Sequence, residues 1–371
     1  PDTYPRPHVA ASVFLCVYTT KTGVYAMARA FPEGNLWVAY MGGGMAIYGV
    51  VFALLQDDMR RLLSYHIQSQ VGYMVAGVGI GTALATAGGM AHVYNHILYK
   101  SLLFMTAGVV IYRTGHEDLR KLGGLAREMP ITAVIFAIAA LSIAGFPGFN
   151  GFVSKGMVVT AAHDEHLDAL WWLLIIGGVG TFLSFIKFGY YAFLHGPPTE
   201  TVRDANRGQA AVMLGVASLC ILYGVYPDAL FGLLPGTGAA EAHPFTTGHI
   251  LEGLGLAAAG VVGFVLLKRP LSRVGHVPDV DALYTRLVFF GTRTLVRGVT
   301  EAYAAVDRLV VAVVTTAIAL ARDPSPAVGA FPPTADAVTE EGFNKLSLRA
   351  GFGTSILIVV LVVVVILGLL F

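Results

Sequence analysis

Residues 130–162 read PITAVIFAIAALSIAGFPGFNGFVSKGMVVTAA, and the reading of this stretch decides the fold. It is apolar throughout, yet much longer than the roughly 20 residues that carry a helix across a hydrocarbon core. Its middle, Gly145-Phe-Pro-Gly-Phe-Asn-Gly151, removes a backbone donor at proline and loosens the chain at glycine. The stretch therefore reads as one membrane helix broken in two. Unwound backbone at membrane depth survives only where protein or a water-filled cavity surrounds it, so the break points to an ion path.

Working outward, eight more apolar runs lie near 9–31, 35–55, 62–82, 86–112, 169–194, 209–234, 247–267 and 352–371. The expected fold is an all-α, polytopic transmembrane bundle of about nine spans, one of them broken. Composition agrees. Of 371 residues, 56% are apolar and 13% charged, where a soluble domain carries about 25% charged residues. This excludes a typical soluble enzyme, and with it disordered, collagen-like and disulfide-framework chains. Cys16 and Cys220 lie in apolar runs and suggest no redox or metal framework. No phosphate loop, dinucleotide fingerprint or nucleophile constellation is present, so neither a cofactor nor catalytic chemistry of the chain's own is expected. Pro1 opens the sequence with no initiator Met and no basic leader, which suggests a missing beginning.

The 24 lysines and arginines give the orientation. Arg6, Arg60, Arg61, Arg113, Arg120, Lys121, Arg127, Arg203, Arg207, Lys268, Arg269 and Arg273 fall on one side of the spans, and Arg29 on the other. The positive-inside rule then places residue 1 in the cytoplasm. This rim also explains the arginines without nucleic acid, and a bacterial or archaeal cytoplasmic membrane is the expected location. Residues 280–322 differ from the spans. Arg286, Arg293, Arg297, Glu301 and Arg308 follow one another by 7, 4, 4 and 7 residues, which puts them on one helical face. A lateral amphipathic helix along the membrane surface is expected, with two spans meeting near Glu301 as the alternative.

Four basic residues are left at membrane depth: Lys21, Lys100, Lys155 and Lys187. A lysine at the bilayer centre costs about 2.5–3.5 kcal/mol even on the mild insertion scale, so each needs a reason. Among the acids, Glu252 and Asp228 alone approach a span, near its end, so the buried lysines are expected to be neutral, hydrated along a water path, or paired with acids on helices outside this chain. His92, His96 and Lys100 follow at i, i+4 and i+8 and line one face of one helix. Histidine passes protons between its ring nitrogens near neutral pH, so the row is a candidate proton relay. A metal site and plain interhelical hydrogen bonding are the alternatives. Lys155, just past the break, is expected beside freed carbonyls. A second tier comprises Ser64, His66 and Gln70, which either order water or glue helices, and Lys187, which can partly snorkel. Gly42-Gly43-Gly44 is expected to permit close helix packing.

The segments Ser64-Tyr-His-Ile-Gln-Ser-Gln70, His92-Val-Tyr-Asn-His96-Ile-Leu-Tyr-Lys100, Asp118-Leu-Arg-Lys-Leu-Gly-Gly and Gly145-Phe-Pro-Gly-Phe-Asn-Gly-Phe-Val-Ser-Lys155 resemble the antiporter-like membrane subunits. That family is shared by Mrp-type Na⁺/H⁺ antiporters, the proton-pumping membrane arm of complex I and membrane-bound hydrogenases. The start, Asp2-Thr-Tyr-Pro, and Thr20-Lys21-Thr-Gly23 are most similar to the D-type polypeptide of Mrp antiporters, although such polypeptides stop before a lateral helix. The resemblance implies two inverted five-helix repeats, of which this chain holds the carboxyl-terminal portion. Residues 1–34 would be the family's eighth helix with Lys21, and 35–208 the second repeat carrying the relay. Then come two further spans (209–279), the lateral helix (280–322), a loop (323–349) and a terminal anchor (350–371). It implies Lys21 as a bridging lysine, His92, His96 and Lys100 as the central relay, and Lys155 as the residue toward the exit. The partners implied are other membrane subunits, including helices with a Glu/Lys pair absent here, together with protons, Na⁺ as a candidate counter-ion, and the lipid bilayer. Two rival functions stay open: pumping in a complex I-like, hydrogenase-like or carbon-uptake complex, and a structural module with the lateral helix as strap.

Overall fold

The structure is a computed structural model and describes residues 3–198, 201–234, 238–273, 279 and 281–322. Among these it is helical, with loops and one isolated β-bridge, Asp58 to Asp118. It divides into two units, Pro1–Pro278 and Asp279–Phe371.

The first unit holds α1 (Val9–Ala30), α2 (Leu36–Leu54), α3 (Met59–Ile80), α4 (Ala83–Thr114), α5 (Pro130–Ala144), α6 (Asn150–Asp164), α7 (Asp168–Gly189), α8 (Arg207–Val225), α9 (Asp228–Phe231) and α10 (Thr247–Arg273). Short polar side chains start several of them by accepting from the first free amides, as the unsatisfied N-terminal groups require. Asn35 caps α2, Asp58 caps α3, Thr82 caps α4, and Asn206 with Gln209 forms a capping box on α8. The break is where it was expected: α5 stops at Gly145, whose φ of 87° suits glycine, and helix resumes at Asn150. The run 209–234 is shorter as a helix than its composition suggested. α8 ends at Val225, since Pro227 has no amide with which to continue the ladder, and the chain turns into α9.

Six helical segments among the described residues are long and apolar enough to cross a membrane: α2, α4, α7 with its π-helical extension to Leu194, α8, α10 and residues 284–319. α3 falls short of that apolar level yet is almost entirely buried, because it is the bundle's central post. Its contact with α2 is backbone to backbone. A Cβ at Gly42 would strike the amide of Ala76 and the carbonyl of Gly72, so the expected packing role of that glycine holds.

Charged and polar groups tie one end of the unit together. Arg60 donates to the carbonyls of Tyr4 and Pro7 and to Ser12 Oγ (2.8 Å), and pairs with Glu117 at 3.5 Å. Met59 N donates to the Glu117 carbonyl (3.0 Å) and Leu119 N to that of Asp57 (2.8 Å). The Asp204 carboxylate accepts from Ile131 N (2.7 Å) and Thr132 Oγ1 (2.5 Å), anchoring the start of α5.

In the second unit, α11 (Asp281–Arg322) is one helix of 42 residues, unbroken through Glu301. At 1.5 Å per residue it is about 63 Å long. The expected loop 323–349 and anchor 350–371 lie outside the described residues.

Candidate functional site

The site is built on α4. Its His92, His96 and Lys100 point inward from one face, and all three are 0% exposed. His92 is fully engaged: Nδ1 lies 2.9 Å from Ser154 Oγ on α6, while Nε2 lies 3.3 Å from Gln70 Oε1 on α3 and 3.3 Å from Tyr99 OH. Among the described residues, His96 has no hydrogen-bond partner on either ring nitrogen. Its ring sits 6.5 Å from that of His92 and edge-on to Tyr99 at 5.5 Å. Lys100 Nζ likewise finds no hydrogen-bond partner among them. It lies 5.9 Å from the ring of Phe104 and 5.8 Å from that of Phe185, whose faces partly compensate a cation.

Two further lysines flank the row. Lys155 Nζ reaches back over the break to donate to the carbonyl of Ile143 at 2.7 Å, a group freed because α5 ends there. It also lies 4.9 Å from the centroid of the Tyr73 ring, which is itself 5.8 Å from the His92 ring. Lys21, on α1, donates to the carbonyl of Cys16 (2.5 Å) and to Thr20 Oγ1 (3.1 Å). Cys16 is within electrostatic reach of both Lys21 and Lys100, so α1 meets the row near its lysine end.

The second-tier residues separate. Gln70 joins the row through His92 and also approaches Thr181 Oγ1 at 3.5 Å. His66 is fully buried with both ring nitrogens unpartnered among the described residues, and its ring packs 4.7 Å from Phe185, the same ring that faces Lys100. Ser64 bonds the carbonyl of Arg60 within its own helix (2.6 Å). Lys187 corrects the expectation that buried lysines lack acids in this chain. Its Nζ donates to Asp57 Oδ1 (2.9 Å) and to the carbonyls of Leu54 (2.9 Å) and Gln56 (2.8 Å). Asp57 lies in the loop between α2 and α3, so its nearness to residue 187 was invisible along the sequence.

Sequence reasoning also passed over Asn95 and Asn150. Asn95 Nδ2 donates to the carbonyl of Asn150 (2.9 Å), and Asn150 Nδ2 returns a bond to Asn95 Oδ1 (3.2 Å), pinning α6 to α4 beside the break. The available signal was Asn95 standing three residues after His92, on the same face. A small cavity, with about 30 Å³ of room for water, opens beside Lys155 and is also lined by Tyr73, Gly145, Phe152, His249 and Glu252. That is room for about two waters.

The family described as NADH:quinone oxidoreductase/Mrp antiporter, TM, matches residues 1–184, about half of the chain and all five residues from Lys21 to Lys155 that form or flank the row. The chain is similar to the D-type polypeptide of the Na(+)/H(+) antiporter of Alkalihalophilus pseudofirmus, with 35% identity over 62% of this chain and 49% of that protein. It is similar to the L-type polypeptide of the F(420)H(2) dehydrogenase of Methanosarcina mazei, with 32% identity over 75% of this chain and 43% of that one. Among solved structures, a chain of the membrane-bound sulfane sulfur reductase, an archaeal respiratory membrane complex, matches with a TM-score of 0.58 and 30% identity, over 76% of this chain and 51% of the other. The chain thus spans about half the length of these relatives.

Proposed function

Because this chain belongs to the family of antiporter-like membrane subunits, we propose that it is the carboxyl-terminal part of a proton-translocating subunit and works inside a multi-subunit membrane complex. Protons move near mid-membrane along Lys21, the His96/Lys100 pair, His92 and Lys155. One observation carries the reading: Lys100 Nζ and both nitrogens of His96 are buried and unpartnered among the described residues, beside a fully bonded His92. Such groups are costly for a structure to keep. They are useful where water links titratable sites and each site accepts a proton and passes it on. His92 suits the turning point, since a proton taken at one ring nitrogen can leave from the other. Tyr73 lies between His92 and Lys155 and guides the path toward the break.

The Arg-rich end faces the cytoplasm, with residue 1 on that side. The exchanged ion is Na⁺, as the name of the similar antiporter polypeptide suggests. A second reading, pumping driven by a redox partner, is favoured by the likeness to the dehydrogenase polypeptide and the sulfur reductase chain. The length of α11 supports a lateral position for 280–322, as a strap between subunits.

The test is Lys100→Ala and Lys155→Ala in the assembled complex, with a pH-gradient dye in inverted vesicles. Loss of at least about tenfold in proton flux is expected for each. Wild-type flux in both variants overturns the relay and leaves the structural-module reading, under which deletion of 280–371 abolishes assembly.

A further inference from the structure

The relay as described stops at Lys155, which lies well inside the bundle, and a proton needs a further acceptor to leave. We propose that Glu252 on α10 is that acceptor, with His249 positioning it at the wall of the water cavity. This rests on the proton-path reading above and extends it to a helix beyond the family match, which ends at residue 184.

Three observations converge on the pair. First, Lys155, His249 and Glu252 line one cavity, with Tyr73 from α3 and the turn at Gly145 completing its wall. Second, the imidazole of His249 is held in place: it stacks on Phe152 with ring centroids 4.4 Å apart and 25° between planes. It also lies so close to Gly156 that a Cβ there would overlap its Cε1 and Nε2 atoms. Gly156 and Lys155 are neighbours on α6, so a residue without a side chain stands where α10 must approach the relay lysine. Third, Glu252 follows His249 by three residues, on the same face of α10. Both lie in the first two turns of a helix whose last turns carry Arg269 and Arg273, so the pair is at the end away from the arginine rim.

The remaining titratable groups around Glu252, among the described residues, are Tyr73 on α3, Lys155 on α6 and His163 near the end of α6, which is within electrostatic reach. α7 contributes only Leu174, Ile175 and Gly178 to the cavity. The transfer balances simply. An N–H bond of the Lys155 ammonium breaks as a cavity water gains that proton, and the water gives up another proton to a Glu252 carboxylate oxygen. Ammonium and carboxylate become amine and acid, with no electrons exchanged. The acid then releases its proton to the outer side.

The experiment uses the assembled complex in inverted vesicles with Lys155→Ala alongside as a reference. Glu252→Gln is expected to lower proton flux at least tenfold, and Glu252→Asp to restore part of it with a displaced pH profile. Gly156→Ala, which pushes the imidazole of His249 aside without removing a titratable group, is expected to lower flux several-fold while the complex still assembles. If Lys155→Ala is inactive but Glu252→Gln keeps wild-type flux and an unmoved pH profile, the outlet is overturned and the relay stands. If Lys155→Ala is also active, both fall. A Glu252→Gln complex that fails to assemble and is not rescued by Asp marks the carboxylate as structural and likewise overturns the outlet.

Discussion

Lys100→Met separates function from stability with opposite signs. The side chain is fully buried, its Nζ has no hydrogen-bond partner among the described residues, and that Nζ lies 5.9 Å and 5.8 Å from the ring centroids of Phe104 and Phe185. Methionine preserves the apolar stem and offers sulfur-to-ring contacts, and removes the nitrogen. An unsatisfied buried amine costs about 1–3 kcal/mol, and a charged one at the bilayer centre about 2.5–3.5 kcal/mol. Cation–π contact with two rings, about 0.5–2 kcal/mol each, offsets part of the charged cost. For the neutral amine the expectation is a gain of about 1–3 kcal/mol in stability, together with a loss of proton flux of at least tenfold. Thermal unfolding of the purified complex, followed by fluorescence, reads the first, and dye quenching in vesicles the second. A variant that unfolds at a lower temperature than wild type shows that Lys100 holds the bundle together, and that refutes the reasoning. So does a variant with unchanged flux.

Two further outcomes follow. Lys187→Met leaves two carbonyls without their donor and Asp57 with Arg120, 3.5 Å away, as its remaining ion-pair partner among the described residues, so it is expected to destabilise by about 1–3 kcal/mol, while flux per assembled complex stays at wild type; a stable but inactive variant would instead put Lys187 in the path. At the same end, partial burial pushes the Asp118 carboxyl up, but hydrogen bonds and charge from Arg120 outweigh it and hold it below its ordinary value. A pKa lower in the folded than in the unfolded state gives stability that is complete above the ordinary carboxylate value of about 4 and fades as pH falls through the depressed one. Wild type and Asp118→Asn are therefore expected to differ in unfolding temperature at pH 7 and to converge in strong acid.

Much of this architecture was legible because the bilayer imposes its own arithmetic. Apolar runs near 20 residues, a proline between glycines and the uneven spread of arginine gave helix ends within a few residues of those observed for α1 to α7. The His92, His96 and Lys100 row was legible because helical spacing is local. What could not be read was long-range pairing. Lys187 looked like a lone intramembrane cation, and its acid is Asp57, 130 residues away in a loop. The polar residues of α3 looked alike, yet they divide among an internal bond at Ser64, a helix-to-helix bond at Ser69 (to the carbonyl of Ala46) and the relay contact of Gln70. That division depends on which neighbour each face meets, and a single sequence carries no record of it. His249 escaped attention because its run, 247–267, looked like a plain apolar span.

The break between α5 and α6 has a consequence best put in the language of circuits. Asp204 fastens α5 at its far end, while the Asn95–Asn150 and His92–Ser154 bonds solder α6 to α4. The contact from Lys155 to the Ile143 carbonyl therefore joins two helices that are each also fastened elsewhere. A shift of the end of α5 would lengthen that contact, although the Ser142 carbonyl of α5 also packs against Gly151 of α6. On the proposed proton path this contact is the joint in the circuit, where a partner subunit acting on α5 would interrupt transfer without touching a single histidine.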